Sequence, residues 1–126
     1  MNLGGIPDNA RYEVERLSER ASDDLSRLAH DVDTHVDHLR SLSREIDTLD
    51  LVLASQIAGG LRRLIHWGVA KGSSKQRRAI WIAAHYFLSG HDATPDTAVP
   101  EGFVDDAAVF NAVAFYVGRG DLQLAS

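Results

Sequence analysis

Residues 75–118 read KQRRAIWIAAHYFLSGHDATPDTAVPEGFVDDAAVFNAVAFYVG. The run 79–88 is apolar on nearly every side except His85. The run 105–118 is apolar almost all round. A helix without a polar face is a buried helix, so the spacing predicts two central helices, 75–89 and 105–118. The segment between them carries Asp92, Asp96, Glu101, Asp105 and Asp106 with Pro95, Pro100 and Gly102. It is a loop by composition. Gly118 and Gly120 supply stop signals for the second helix.

Working back toward the N-terminus, KGSSK (71–75) is a turn, with Ser73 or Ser74 as the next N-cap. LVLASQIAGGLRRLIHWGVA (51–70) is a helix with Leu53, Ile57, Leu61, Leu64 and Ile65 on one face, and Asp47, Thr48 or Asp50 able to cap it. Gly59 and Gly60 weaken it, so a kink or a close helix contact is expected there. Residues 12–49 lack Gly and Pro and repeat apolar residues in steps of three and four,. From Leu25 the seam runs Leu25, Leu28, Val32, His35, Leu39, Leu42, Ile46, Leu49. The spacing of eleven between Val14 and Leu25 looks like a stutter before regular heptads.

A single helix over 12–49 would be about 54 Å long. It must bend back, break or run along another chain. The narrow stripe and charged flanks fit a coiled-coil seam, with an antiparallel hairpin against 51–70 as the rival. The expected fold is all-α and one domain: a flexible leader (1–11), the long N-terminal helix (12–49), a helical bundle (50–118) and a frayed tail (119–126).

Composition narrows the function classes. The 126 residues contain no cysteine, which excludes disulfides and thiol chemistry,. No stretch is long and apolar enough for a membrane span, and the start has no signal-peptide pattern, so a cytoplasmic setting is expected. The net charge of −5 is segregated. Residues 1–50 and 91–126 are acidic, whereas 51–90 hold Arg62, Arg63, Lys71, Lys75, Arg77 and Arg78 without an acid. Mutual neutralisation of these blocks is the simpler expectation; a basic binding surface is the other.

The loop and its flanks resemble the YkvA-like family, a small bacterial helical domain of unknown function. The resemblance spans residues 79–118 and rests on Asp92, Pro95, Asp96, Gly102, Phe103, Asp105 and Asp106. Pro100 falls one residue late, and Gly90 stands where the family carries proline. The resemblance implies a fold and no activity.

Two roles suit the aspartates. As structural groups, Asp105 or Asp106 cap the last helix and Asp92 and Asp96 close turns around Pro95. As ligands, Asp92, Asp96, Asp105 and Asp106 would offer carboxylates to Mg²⁺, Mn²⁺ or Ca²⁺. The spacing is not that of an EF-hand.

His35 interrupts the seam, where a polar residue sets register. His85 is expected as a core histidine bonded to a backbone carbonyl or an acid. Ser89 is a nucleophile only by position. Lys71, Lys75, Arg77 and Arg78 around a helix start would attract phosphate or an anionic surface. Few aromatics and a negative charge speak against a nucleic-acid module. The leading reading is a non-enzymatic assembly or protein-interaction module that self-associates or binds a helical partner through residues 25–49. The alternatives are a divalent-metal-binding or metal-dependent hydrolytic protein, and an antitoxin- or immunity-type neutraliser of a basic partner.

Overall fold

A computed structural model describes residues 3–42, 51–89 and 103–124. Among the described residues five α-helices pack into one bundle: α1 (Asp8–Arg20), α2 (Leu28–Leu42), α3 (Leu51–Lys71), α4 (Ser74–Ser89) and α5 (Val104–Tyr116), followed by a 3-10 turn, Gly120–Leu122. No strand occurs among the described residues.

The centre is α4, which packs against α1, α2, α3 and α5. Its Ala79, Ile80, Ile82, Ala83, Ala84, Tyr86 and Phe87 are all buried. Its first turn is set by a capping box. Ser73 Oγ accepts the Gln76 N–H at 3.2 Å, and Gln76 Oε1 accepts the Ser73 N–H at 2.8 Å,. Helix α5 runs antiparallel to α4, with Phe103 beside Phe87 (ring centroids 6.2 Å) and Gln76 bonded to the Val117 carbonyl at the other end. It ends in a Schellman motif: Arg119 N–H to Ala114 O at 2.8 Å, Gly118 N–H to Phe115 O at 3.1 Å, and Gly118 at φ 84°,. The expectation that α5 is covered on all sides needs correction, because Val104 and Phe115 are 52% and 73% exposed.

The N-terminal half corrects the expectation of one long helix over 12–49. The chain leaves helical geometry at Ala21 and re-enters at Leu28. Ser22 and Asp24 turn it: Ser22 Oγ accepts the Asp24 N–H at 3.1 Å, and Asp24 Oδ1 accepts the Ser26 N–H at 3.0 Å. Such short polar side chains compete with the helical ladder for backbone donors. Leu25 is buried in the elbow and reaches the notch at Gly68, where its Cδ1 would stand 3.1 Å from a Cβ. Asp23 Oδ2 accepts the Ser74 hydroxyl at 2.9 Å. The elbow is thereby keyed to the α3–α4 turn, and the eleven-residue spacing is a break rather than a coiled-coil stutter.

Helix α2 then folds back antiparallel on α3, with Arg62 against Asp33 at 3.2 Å and Arg40 and Ser55 lining one cleft. The leader is also more ordered in its packing than expected. Helix α1 begins at Asp8, and Leu3 and Ile6 pack against the core.

The glycine pair in α3 divides its roles. A Cβ on Gly60 would collide with the Phe110 ring, so Gly60 lets α5 approach the α3 backbone. A Cβ on Gly59 would meet nothing within 4 Å among the described residues.

Candidate functional site

The seam proposed for self-association is covered from within. Leu25, Leu28, Val32 and Leu39 are buried, and Leu42 is half-buried against the same core. Once the long helix breaks, α2 is short enough to lay its apolar stripe on α3 and α4. Ile46 and Leu49 lie outside the described residues. Half-buried His35 meets Phe87 of α4 edge-on, ring centroids 5.1 Å apart at 84°. Burial, with His38 nearby, holds His35 below the ordinary imidazole pKa,.

His85 is half-buried and lies over Trp81, centroids 3.9 Å apart. The backbone or carboxylate hydrogen bond expected of its ring is not made among the described residues. Its pKa is lowered first by burial and then by Arg20, with Asp31 opposing. Ser89 donates its hydroxyl to the His85 carbonyl at 2.6 Å. It is thus bonded back along its own helix and does not address the imidazole.

Of the four candidate metal ligands, Asp92 and Asp96 lie outside the described residues. Asp105 and Asp106 sit in the first turn of α5, not before it; the N-cap position is Phe103, which makes no side-chain bond. This corrects the N-cap role given to the aspartates. Both carboxylates still face the positive end of the helix dipole. Asp105 Oδ2 accepts the Asn9 amide at 2.6 Å, tying α1 to α5. Asp106 is 3% exposed. Among the described residues no three His, Asp or Glu side chains are grouped to hold a metal ion.

Around the α3–α4 turn, Lys71, Lys75 and Arg78 are exposed and Arg77 is half-buried. The Nε of Arg77 is buried without a hydrogen-bond partner among the described residues. The α4 N-terminus already has an anion beside it in Asp23,. Charge segregation is otherwise not resolved by direct pairing. Arg62 reaches Asp33, whereas Arg63, Lys71, Lys75, Arg77 and Arg78 form no ion pair among the described residues. The acids Asp8, Glu13 and Asp37 pair locally with Arg11, Arg16 and Arg40.

A feature missed from the sequence lies between α3 and α5. The segment after α5, expected to fray, is docked. The Asn111 side chain bonds both backbone groups of one residue: Oδ1 accepts the Leu124 N–H at 2.7 Å, and Nδ2 donates to the Leu124 carbonyl at 3.3 Å. Gln123 Nε2 donates to the Asn111 carbonyl at 3.0 Å. Leu122 and Leu124 pack against the core. Arg119 grips Asp121 through two bonds of 3.0 Å and lies 5.9 Å from the Trp67 ring centroid. Those bonds hold the Asp121 carboxyl below its ordinary pKa.

Between this strap and α3 a cavity of about 450 Å³ stays open, lined by Gln56, Gly59, Gly60, Arg63 and the strap residues. The sequence does hold a signal. Asn111 is the one polar side chain between Asp106 and Tyr116, and a lone amide in an apolar helix has a partner to satisfy.

Compared with known families, residues 76–112 match one described as a protein of unknown function, DUF1232. The chain carries a DUF1232 domain there. The domain takes in nearly all of α4, the acidic segment and the first two-thirds of α5, and it includes Asn111. No curated protein and no solved structure matches the chain. No described helix is long and apolar enough to cross a membrane.

Proposed function

We propose that this chain is a non-enzymatic protein-interaction module built on a YkvA-like DUF1232 core, with its partner surface on the α3–α5 side. One observation carries this reading. The described part of the seam, Leu25 to Leu42, packs into the bundle, while the α3–α5 side keeps an open cavity walled by Arg63, which has no ion pair among the described residues, and Val52 of α3 and Phe115 of α5 are exposed. Large exposed apolar side chains next to a cleft are how a docking surface differs from ordinary surface.

A photo-crosslinking residue at Gln56 tests it in the producing cell, with one at Glu15 on α1 as control. A discrete adduct from position 56 and none from position 15 is expected. Equal labelling from both positions, or none from 56, counts against the reading.

A second reading, a hard divalent-cation site at Asp92, Asp96, Asp105 and Asp106, is favoured by the near-complete burial of Asp106 at the start of α5. Calorimetric titration with Mg²⁺, Mn²⁺ and Ca²⁺ decides it. Binding heat abolished by Asp106→Asn supports the site, because charge is what holds such an ion. Absence of heat with all three ions removes it.

A further inference from the structure

We propose that the α3–α5 groove docks a short, acidic segment of a partner protein in place of the chain's own residues 121–124. The inference rests on the interaction-module reading and names the chemistry of the partner.

The groove already holds a short piece of chain, the 3-10 turn Gly120–Leu122 followed by Gln123 and Leu124, so its mode of recognition is visible. Asn111 reads the N–H and the carbonyl of Leu124 together. A primary amide used this way recognises backbone and accepts any side chain that fits, the logic by which peptides are held through main-chain bonds. Leu122, closing the 3-10 turn, and Leu124 beyond it supply the apolar contacts.

Three features show that the strap is an incomplete occupant. It leaves about 450 Å³ unfilled between itself and α3. Gly59 forms part of that wall, yet no described residue lies within 4 Å of where its Cβ would stand. A helix-interior glycine lowers helix stability relative to alanine, so its use here fits close approach by something else. Arg63, one turn along from Gly59, lines the same cavity without an ion pair among the described residues. The strap's own carboxylate, Asp121, is held by Arg119 instead.

A partner segment with a bulky apolar residue at the Leu124 position and a carboxylate facing Arg63 fills what the strap leaves empty. The strap then acts as a competitor in cis, lowering apparent affinity by the fraction of time it is seated.

The test uses the full chain and two fluorescent peptides, GDLQLAS and GDLELAS, followed by anisotropy. The second places a carboxylate at the position of Gln123, which shares the cavity with Arg63; it gives up the bond from Gln123 Nε2 to the Asn111 carbonyl, which leaves the side chain free to turn to Arg63. Leu122→Asp with Leu124→Asp releases the strap, and circular dichroism checks its fold. The released variant is expected to bind GDLELAS at least about tenfold more tightly than wild type. Adding Asn111→Ala removes that binding, and adding Arg63→Ala erases the preference for GDLELAS. A folded released variant that ignores both peptides at millimolar concentration overturns the proposal, as does one whose affinity survives Asn111→Ala.

Should the released variant not fold, wild type supplies the readout. Saturating GDLELAS must shift the Asn111 side-chain amide resonances, and unmoved resonances overturn the proposal. A wild-type mass that doubles with concentration, and does so only with the strap intact, would make a second copy the occupant and overturn the choice of partner. A position-56 crosslink without peptide binding would leave the module reading standing and this inference refuted.

Discussion

Two adjacent glycines in α3 give opposite signs for the same substitution. A Cβ on Gly60 would strike Phe110 Cζ and stand 2.9 and 3.0 Å from Cε1 and Cε2. Phe110 is 1% exposed, so shifting its ring means repacking the core around it. Overpacking of this kind costs about 1–3 kcal/mol. Alanine returns about 1 kcal/mol of helix propensity. Gly60→Ala is therefore neutral to destabilising by about 2 kcal/mol. At Gly59 nothing opposes the gain, and Gly59→Ala should stabilise by about 1 kcal/mol. For a chain of this size each kcal/mol moves Tm by roughly 3–5 °C. Thermal melts followed by circular dichroism, with urea titrations for the free energy, measure both variants against wild type. Gly59→Ala should melt highest and Gly60→Ala lowest. If Gly60→Ala melts at or above Gly59→Ala, the close approach of Phe110 to α3 is refuted.

Leu39 is 2% exposed against the chain's own helices; Leu39→Ala should cost about 2–5 kcal/mol in urea titration and leave the solution mass unchanged, whereas a lowered mass with intact stability would place Leu39 between chains. His35 and His85 are both held below the ordinary imidazole pKa, so the folded state favours their neutral forms. Their contribution is complete above the unfolded value near ~6.5 and is lost as pH falls through the lowered folded values. Melting temperature should decline below about pH 6.5, less steeply in His35→Leu, and an unchanged slope in that variant would remove His35 from the effect. Ser73→Ala breaks the capping box of α4 and should cost about 1 kcal/mol by chemical denaturation, with Ser73→Asp recovering most of it; equal loss in both would show that the cap is not what Ser73 contributes.

The parts of the fold legible in the sequence were those decided locally. The apolar run 79–88, the Ser73 cap and the Gly118 stop each follow from a few neighbouring residues, and they place α4 and α5 within one or two positions of where they lie. Gly60 was readable as a close contact because a helix interior rarely keeps glycine without a reason. The elbow at 21–27 was not readable. Ser22, Asp23 and Asp24 are tolerated inside helices, and no Gly or Pro marks the spot. What decides it is distant in sequence: the notch at Gly68 that receives Leu25, and the Ser74 hydroxyl that meets Asp23. The same holds for the strap. Nothing near residue 124 announces that Asn111 will bond it. Charge blocks show the converse, since proximity in the fold paired Arg62 with Asp33 and left Arg63 without a carboxylate among the described residues.

The position of α4 bears on how its domain is used elsewhere. This helix touches four others, yet the DUF1232 match supplies just one of them, α5. Cut out alone, the two-helix unit would present α4 to water along the sides that α1, α2 and α3 now cover. It is a keystone without its arch. Any protein built around such a pair has to bring its own cladding: flanking helices, a neighbouring subunit or lipid. Whatever is brought need only offer apolar stripes of the right width to cover the sides of α4 that α1, α2 and α3 cover here.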